Sequence, residues 1–247
     1  MTTWRKNMGF TLVEMAVVIA IVGLLITGAI MTIAAQAEQR AIDETRRRLN
    51  SAVEAIIAYA VVNGRLPCPA VVAAGKFGDE DPAGGACTSP FGGFLPARTV
   101  GFQPTDDLFY GLDAWNNRIR YAVSSAIPAV CAGAPANHFT TGSSMKTYGM
   151  SCKPNDLDIC NVAGACAAAN QVVASNTAVF VVYSIGKNGP NTASYGPDEV
   201  ENTNGDARFV SRPWSGTDAA AGYYDDLMVV VPAGVLYTRL VAAGVLP

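Results

Sequence analysis

Histidine and charge are both scarce in this sequence. The 247 residues include one histidine, His138, and only 15% are charged, against about 25% in a typical soluble domain. A single imidazole excludes most histidine-based metal centres and leaves little for general-base chemistry. No glycine-rich phosphate loop, Gly-x-Ser-x-Gly elbow or His-Glu-x-x-His string occurs, so the usual signatures of phosphoryl transfer, acyl transfer and zinc proteolysis are missing. The acid pairs Asp106-Asp107 and Asp225-Asp226 do not define a glycosidase without a fold to set their separation. Positive charge is lacking too. The formal charge is -3, and from residue 64 onward 11 Lys and Arg face 15 Asp and Glu, which gives no basic field for a nucleic-acid backbone. The expectation is a protein that is not an enzyme and has no nucleic-acid partner.

Cysteine is absent from the first 67 residues, and all six (Cys68, Cys87, Cys131, Cys152, Cys160 and Cys166) follow. An even set confined to the downstream part points to disulfides in an oxidising compartment. Free thiols or a metal site are the alternatives, but there is no Cys-x-x-Cys pair and no histidine beside Cys160 and Cys166, which disfavours zinc. Fifteen pairings are open to six cysteines. Short loops close most easily, and on that ground alone the preferred set is Cys68 with Cys87, Cys131 with Cys152 and Cys160 with Cys166.

Half of the chain is apolar, and one stretch accounts for much of that. Met15 to Ala35 runs without a charge, and its 21 residues make about 31 Å of helix, the hydrocarbon thickness of a bilayer. Arg5 and Lys6 precede it, so the positive-inside tendency keeps the short N-terminal side cytoplasmic and sends the cysteines outward. Glu14 stands at the edge of this run. A carboxylate there costs a few kcal/mol unless it finds a partner, which makes it a functional candidate. From Gln36 to Val62 there is no proline or glycine, and Ile42, Leu49, Val53, Ile56 and Ala60 recur along one helical face. Asp43 to Arg47 and Glu44 to Arg48 are acid-before-base pairs at helical spacing, and Gly64 and Pro67 then stop the helix. Phe10 to Val62 is expected to form one rod about 80 Å long.

An ordinary secretory signal places its cleavage site after a shorter apolar core. Here the string Gly9-Phe10-Thr11-Leu12-Val13-Glu14 precedes the core. It resembles the processing motif of type IV prepilins and type II secretion pseudopilins. The resemblance implies cleavage by a prepilin peptidase between Gly9 and Phe10 and methylation of the new amine. It also implies that Glu14 pairs with the Phe10 amine of a neighbouring subunit and sets register in a filament. Many members carry a proline about two-thirds through the apolar run, near Met31; this chain has Gly23 and Gly28 instead.

Beyond residue 63 the chain first reads as glycine- and proline-rich loop (residues 64–104), then shows strand signals at Arg118–Ser124, Ala178–Tyr183 and Leu227–Val231. Residues 125–176 have little periodicity and are expected to form a stapled surface insertion. The tail, with Val235, Leu236, Leu240 and Val241 at helical spacing, is expected to close the head as a short helix. Two segments are similar to the type II secretion major pseudopilin: Asp113-Ala114-Trp115-Asn116-Asn117-Arg118-Ile119-Arg120-Tyr121 and Tyr183-Ser184-Ile185-Gly186-Lys187-Asn188-Gly189. In that family the second forms part of a calcium-binding loop. Oxygen donors suited to a hard cation crowd the following stretch (Asp198, Glu199, Glu201, Asn202, Asn204, Asp206), and Asp225 and Asp226 precede the last strand. The expected calcium ligands are Asp198, Asp206, Asp225 and Asp226. Trp115, Trp214, Tyr223 and Tyr224 are read as packing and subunit-contact residues rather than a ligand surface.

The expected fold is α+β and pilin-like, a long N-terminal helix packed on a small antiparallel β-sheet with disulfide-bearing loops. The expected parts are a leader (1–9), a transmembrane and polymerisation helix (10–35), its amphipathic continuation (36–63) and a periplasmic or extracellular globular head (64–247). The resemblance implies a single-pass inner-membrane subunit of a type IV pilus or secretion pseudopilus. Its partners would be other pilin or pseudopilin subunits, the prepilin peptidase and an inner-membrane assembly platform. The alternative is a tip-located minor pilin acting as an adhesin or ligand-binding module.

Overall fold

The computed structural model describes residues 11–73, 75–125, 133–134, 136–164, 166, 171–173, 177–220 and 222–246. Gly9, Phe10 and Cys131 lie outside these residues. The chain divides into two compact units, Met1–Asp43 and Glu44–Pro247.

Helix α1 (Leu12–Asn63) begins in the first unit. Thr11 and Glu14 form a capping pair: the Glu14 carboxylate accepts from the Thr11 backbone N–H and hydroxyl, both at 2.8 Å, and Thr11 Oγ1 accepts from the Glu14 N–H. Two otherwise orphaned helix donors are thereby satisfied. The described apolar side chains from Leu12 to Ile26 are exposed, Leu12 at 87% and Leu24 at 77%. The side chains at 27–32 and 34, part of the expected span, lie outside the described residues, and among the described ones no helix is long and apolar enough to cross a membrane.

The second unit is built around a four-stranded antiparallel sheet in the order β1 (Gly93–Phe94), β2 (Arg120–Val123), β5 (Ala178–Ser184), β7 (Leu227–Pro232). From Glu44 onward α1 buries Leu49, Ala52, Val53, Ile56, Ile57 and Ala60, a stripe that matches helical periodicity. It packs with Tyr121, Val123, Phe180, Val182 and Val231 in one core cluster. Each buried Leu, Ile, Val or Phe side chain of this cluster contributes about 1.5–3 kcal/mol on full burial. Helix α5 (Ala233–Ala242) adds Leu236, Tyr237 and Leu240 to that cluster. At the C-terminal end of α1, Gly64 adopts φ 68° and its N–H reaches the Ala60 carbonyl, a left-handed stop that glycine takes without strain. Glu80 then ties the next loop to the helix end. It pairs with Arg65 at 2.7 Å and accepts from the Tyr59 hydroxyl and the Cys68 N–H.

A second sheet covers the opposite face, where the sequence led to one small antiparallel sheet against the helix. It has the order β4 (Gln171–Val173), β3 (Asp158–Cys160), β6 (Arg208–Val210), with β3 and β6 parallel. Leu157, Ile159 and Phe209 pack there with Ala122, Val181, Tyr183 and Ile185. Strand β5 is therefore buried on both faces, which explains its unbroken apolar run in place of alternation. The 125–176 stretch contributes β3 and β4 to this layer instead of remaining wholly a surface insertion. Their three-residue lengths gave no detectable period. Two short helices, α2 (Ala97–Val100) and α3 (Ser144–Tyr148), lie in the loops. Disulfides join Cys68 to Cys87 and Cys160 to Cys166, and Cys152 is disulfide-bonded as well. The protein is thus α+β, with an N-terminal helix followed by sheets and disulfide-bearing loops.

Candidate functional site

The two head segments singled out in the sequence interlock beside the end of β5. Asp113 is fully buried. It accepts from the Trp115 and Asn117 N–H groups through Oδ1 and from the Ser184 hydroxyl through Oδ2. Burial raises its pKa, and these hydrogen bonds oppose the rise. The Asn117 side-chain amide donates to the Gly186 carbonyl at 2.6 Å. On the other side, Arg48 of α1 donates to the Asp113 carbonyl at 2.7 Å, and Thr45 Oγ1 accepts from the Ala114 N–H. The 113–117 turn thus links the helix to the loop that follows β5.

That loop wraps a cluster of three buried carboxylates, Glu199, Asp225 and Asp226, whose oxygens lie within 4.8 Å of one another. Asp225 Oδ2 accepts from the N–H groups of Lys187 and Asn188 and from the Tyr223 hydroxyl. Glu199 accepts from the Asn188 side chain and from the N–H groups of Gly196 and Asp225. Asp226 Oδ2 accepts from the Asn202 amide. Among the described residues, Asp225 Oδ1, Asp226 Oδ1 and Asn188 Oδ1 have no hydrogen-bond partner. Burial, together with the Glu199 carboxylate, raises the pKa of Asp225 to about 6. Burial also raises Asp226 well above the usual carboxylate range, with Glu199 and Asp225 adding to the rise and Arg120 partly offsetting it.

A hard cation would satisfy this arrangement. Unpaired carboxylate and amide oxygens of this kind are the donors calcium takes, and its charge would remove the penalty of three acids sharing one pocket. The set differs from the sequence expectation in two members. The acidic stretch is not a loop but helix α4 (Pro197–Thr203), and neighbouring side chains on a helix diverge by about 100°. Glu199 faces the cluster, while Asp198 turns to Arg212 at 2.5 Å. Asp206 is exposed and accepts from the Arg208 N–H. The place of Glu199 in the cluster had a signal in the sequence. Gly196-Pro197 with Glu199 two residues on is a helix-start pattern, with proline at the first helical position and the Glu199 carboxylate folded back onto the Gly196 N–H.

Residues 4–30 match the family model described as the prokaryotic N-terminal methylation motif. The chain therefore carries a prepilin-type cleavage and methylation segment. That segment is similar to the N-terminus of type IV pilins and pseudopilins. No curated protein and no solved structure matches the chain.

Proposed function

We propose that this protein is a structural subunit of a type IV pilus-like or type II secretion pseudopilus filament and carries out no bond chemistry. The observation that carries the reading is the methylation-motif match at residues 4–30. It coincides with a single carboxylate, Glu14, at the start of an exposed apolar helix. Prepilin peptidase cuts between Gly9 and Phe10, the Phe10 amine is methylated, and residues 10–35 hold the subunit in the inner membrane with the head in the periplasm. The assembly platform then transfers the helix from lipid to the filament core, where burial against other helices compensates for leaving the bilayer. Glu14 exchanges its bonds to Thr11 for the Phe10 amine of a neighbour, an exchange favoured because a charged pair in apolar surroundings outweighs a local cap. Calcium bound by Glu199, Asp225 and Asp226 rigidifies the head.

Glu14→Ala tests the assignment. Cleavage should proceed normally, shown by the mass of the mature chain, while filament incorporation falls sharply. Normal incorporation of that variant would sink the role of Glu14. Gly9→Val should leave the leader attached. A second reading, a tip subunit that binds a ligand, is favoured by Trp214. It is 67% exposed on a loop braced by Arg212 and by paired bonds between Ser215 and Tyr224. Trp214→Ala should then abolish adhesion and leave filament number unchanged.

A further inference from the structure

The register of the four-stranded sheet sets an arginine against the acid pocket. Arg120 of β2 lies directly opposite Phe94 on one side and Tyr183 on the other, and Tyr183 lies opposite Met228. Directly opposed residues of antiparallel strands share a face, so these four side chains form one row. Tyr183 and Met228 place that row on the face covered by the second sheet. From there the Tyr183 hydroxyl donates to the Asn202 carbonyl at 2.7 Å, and the Asn202 amide donates to Asp226 Oδ2 at 2.8 Å. The row therefore forms the sheet-side wall of the pocket that holds Glu199, Asp225 and Asp226. Arg120 is partly buried in it, with its guanidinium carbon 5.2 Å from the centre of the Phe94 ring.

This arginine is near the acids without being locked to one of them. Arg120 Nε and Asp226 Oδ1 are both buried, and neither has a hydrogen-bond partner among the described residues. Arg212 behaves differently: it binds Asp198 directly at 2.5 Å and takes that carboxylate out of use. The Arg120 charge still reaches the cluster, since it partly offsets the upward shift of Asp226. Tyr195, whose hydroxyl donates to the Gly189 carbonyl, feels Arg120 together with Asp226, Glu199 and Asp225. A guanidinium held at this range lowers the repulsion among the acids. It leaves their free oxygens available to a cation.

We propose that Arg120 is the resident counter-charge of the Glu199, Asp225 and Asp226 pocket and sets its preference for a divalent cation. It holds the three acids together before a cation arrives, and it weakens cation binding to the same degree, because whatever favours the cation-free head must be given up on binding. Three ionised carboxylates, one guanidinium and one divalent cation balance to zero charge. A trivalent ion overshoots that balance and is repelled more strongly by the guanidinium. This role rests on the calcium reading of the pocket given above.

Calcium and terbium titrations of the full-length chain in detergent test this, with Arg120→Gln and Arg120→Lys beside the parent. In chelator, Arg120→Gln should melt below the parent, and saturating calcium should close most of that gap. Its calcium affinity should tighten on the order of tenfold, and its preference for terbium over calcium should rise roughly threefold or more. Arg120→Lys, which keeps the charge, should retain the parent's ion preference. A fall in melting temperature that calcium does not reduce, with affinities unchanged, would overturn the counter-charge role and leave the calcium site standing. Weaker calcium binding by Arg120→Gln would overturn it too. So would a shifted terbium preference in Arg120→Lys, a result readable even where the glutamine variant fails to fold. A parent chain that responds to neither ion would overturn both this role and the calcium reading.

Discussion

Asp225 and His138 respond to pH in opposite directions. Asp225 has a folded pKa of about 6 against 3.8 for the free group, so the folded state holds its proton more tightly. That stability is present at low pH and is lost as pH rises from about 4 through 6. Bound calcium would reverse the loss. The expected outcome is that calcium raises the melting temperature of the detergent-solubilised chain more at pH 7.5 than at pH 5. At a concentration 100-fold above Kd the rise should be on the order of 5–10 °C. A melting temperature indifferent to calcium and chelator at pH 7.5 would remove the site. His138 is fully buried, with Nδ1 beside the Ser144 hydroxyl at 2.7 Å and, among the described residues, no partner for Nε2. Burial lowers its pKa from 6.5 to about 4. The unfolded chain therefore binds the proton first, and stability falls as pH drops from 6.5 toward 4, by about 3 kcal/mol in all. His138→Gln should flatten that acid slope in denaturant titrations, which separates it from the carboxylate effect. At Gly186 (φ 66°) a Cβ would overlap Asp225 Oδ1. Gly186→Ala should cost about 1–3 kcal/mol and abolish the calcium response.

Helix α4 places two adjacent acids in different roles. Asp198 and Arg212 form a buried pair that also engages the Ala163 N–H and the Ser215 hydroxyl. Asp198→Asn should destabilise the head by about 3–5 kcal/mol, since it leaves the guanidinium uncompensated, and should retain the response to calcium. Glu199→Gln should do the reverse, keeping most stability in chelator and losing the calcium-dependent rise. Calcium titration of the melting temperature on both variants checks the assignment; equal loss of response in the two would refute it. Sequence alone did not separate these neighbours, because a seven-residue polar helix has no apolar period to betray it. For α1 the opposite holds. Leu49, Val53, Ile56 and Ala60 are buried because length and an uninterrupted period leave a helix one face to bury.

In the assembled head the loop after α1 is held by the Arg65–Glu80 pair and the Cys68–Cys87 bridge, which spans 19 residues. Replacing both cysteines by serine should lower stability by about 3 kcal/mol, read as a shift in denaturation midpoint. The N-terminal segment was legible without any structure: a short basic leader, Gly9-Phe10, Glu14 and an uncharged run are local patterns that depend on no distant contact. The long helix and the strands at 120–123, 178–184 and 227–232 were legible for the same reason, since periodicity and apolar runs are properties of neighbours in the chain. Tertiary structure decided what lies far apart in sequence. It brought Asp113 to Ser184 and Asn117 to Gly186, laid a second sheet over β5, and placed Glu199 rather than Asp198 or Asp206 beside Asp225 and Asp226. The local crowding of acidic residues at 198–206 and 225–226 shows that cation donors exist; only the turn of α4 and the closure of the loop after β5 select which of them share one buried pocket.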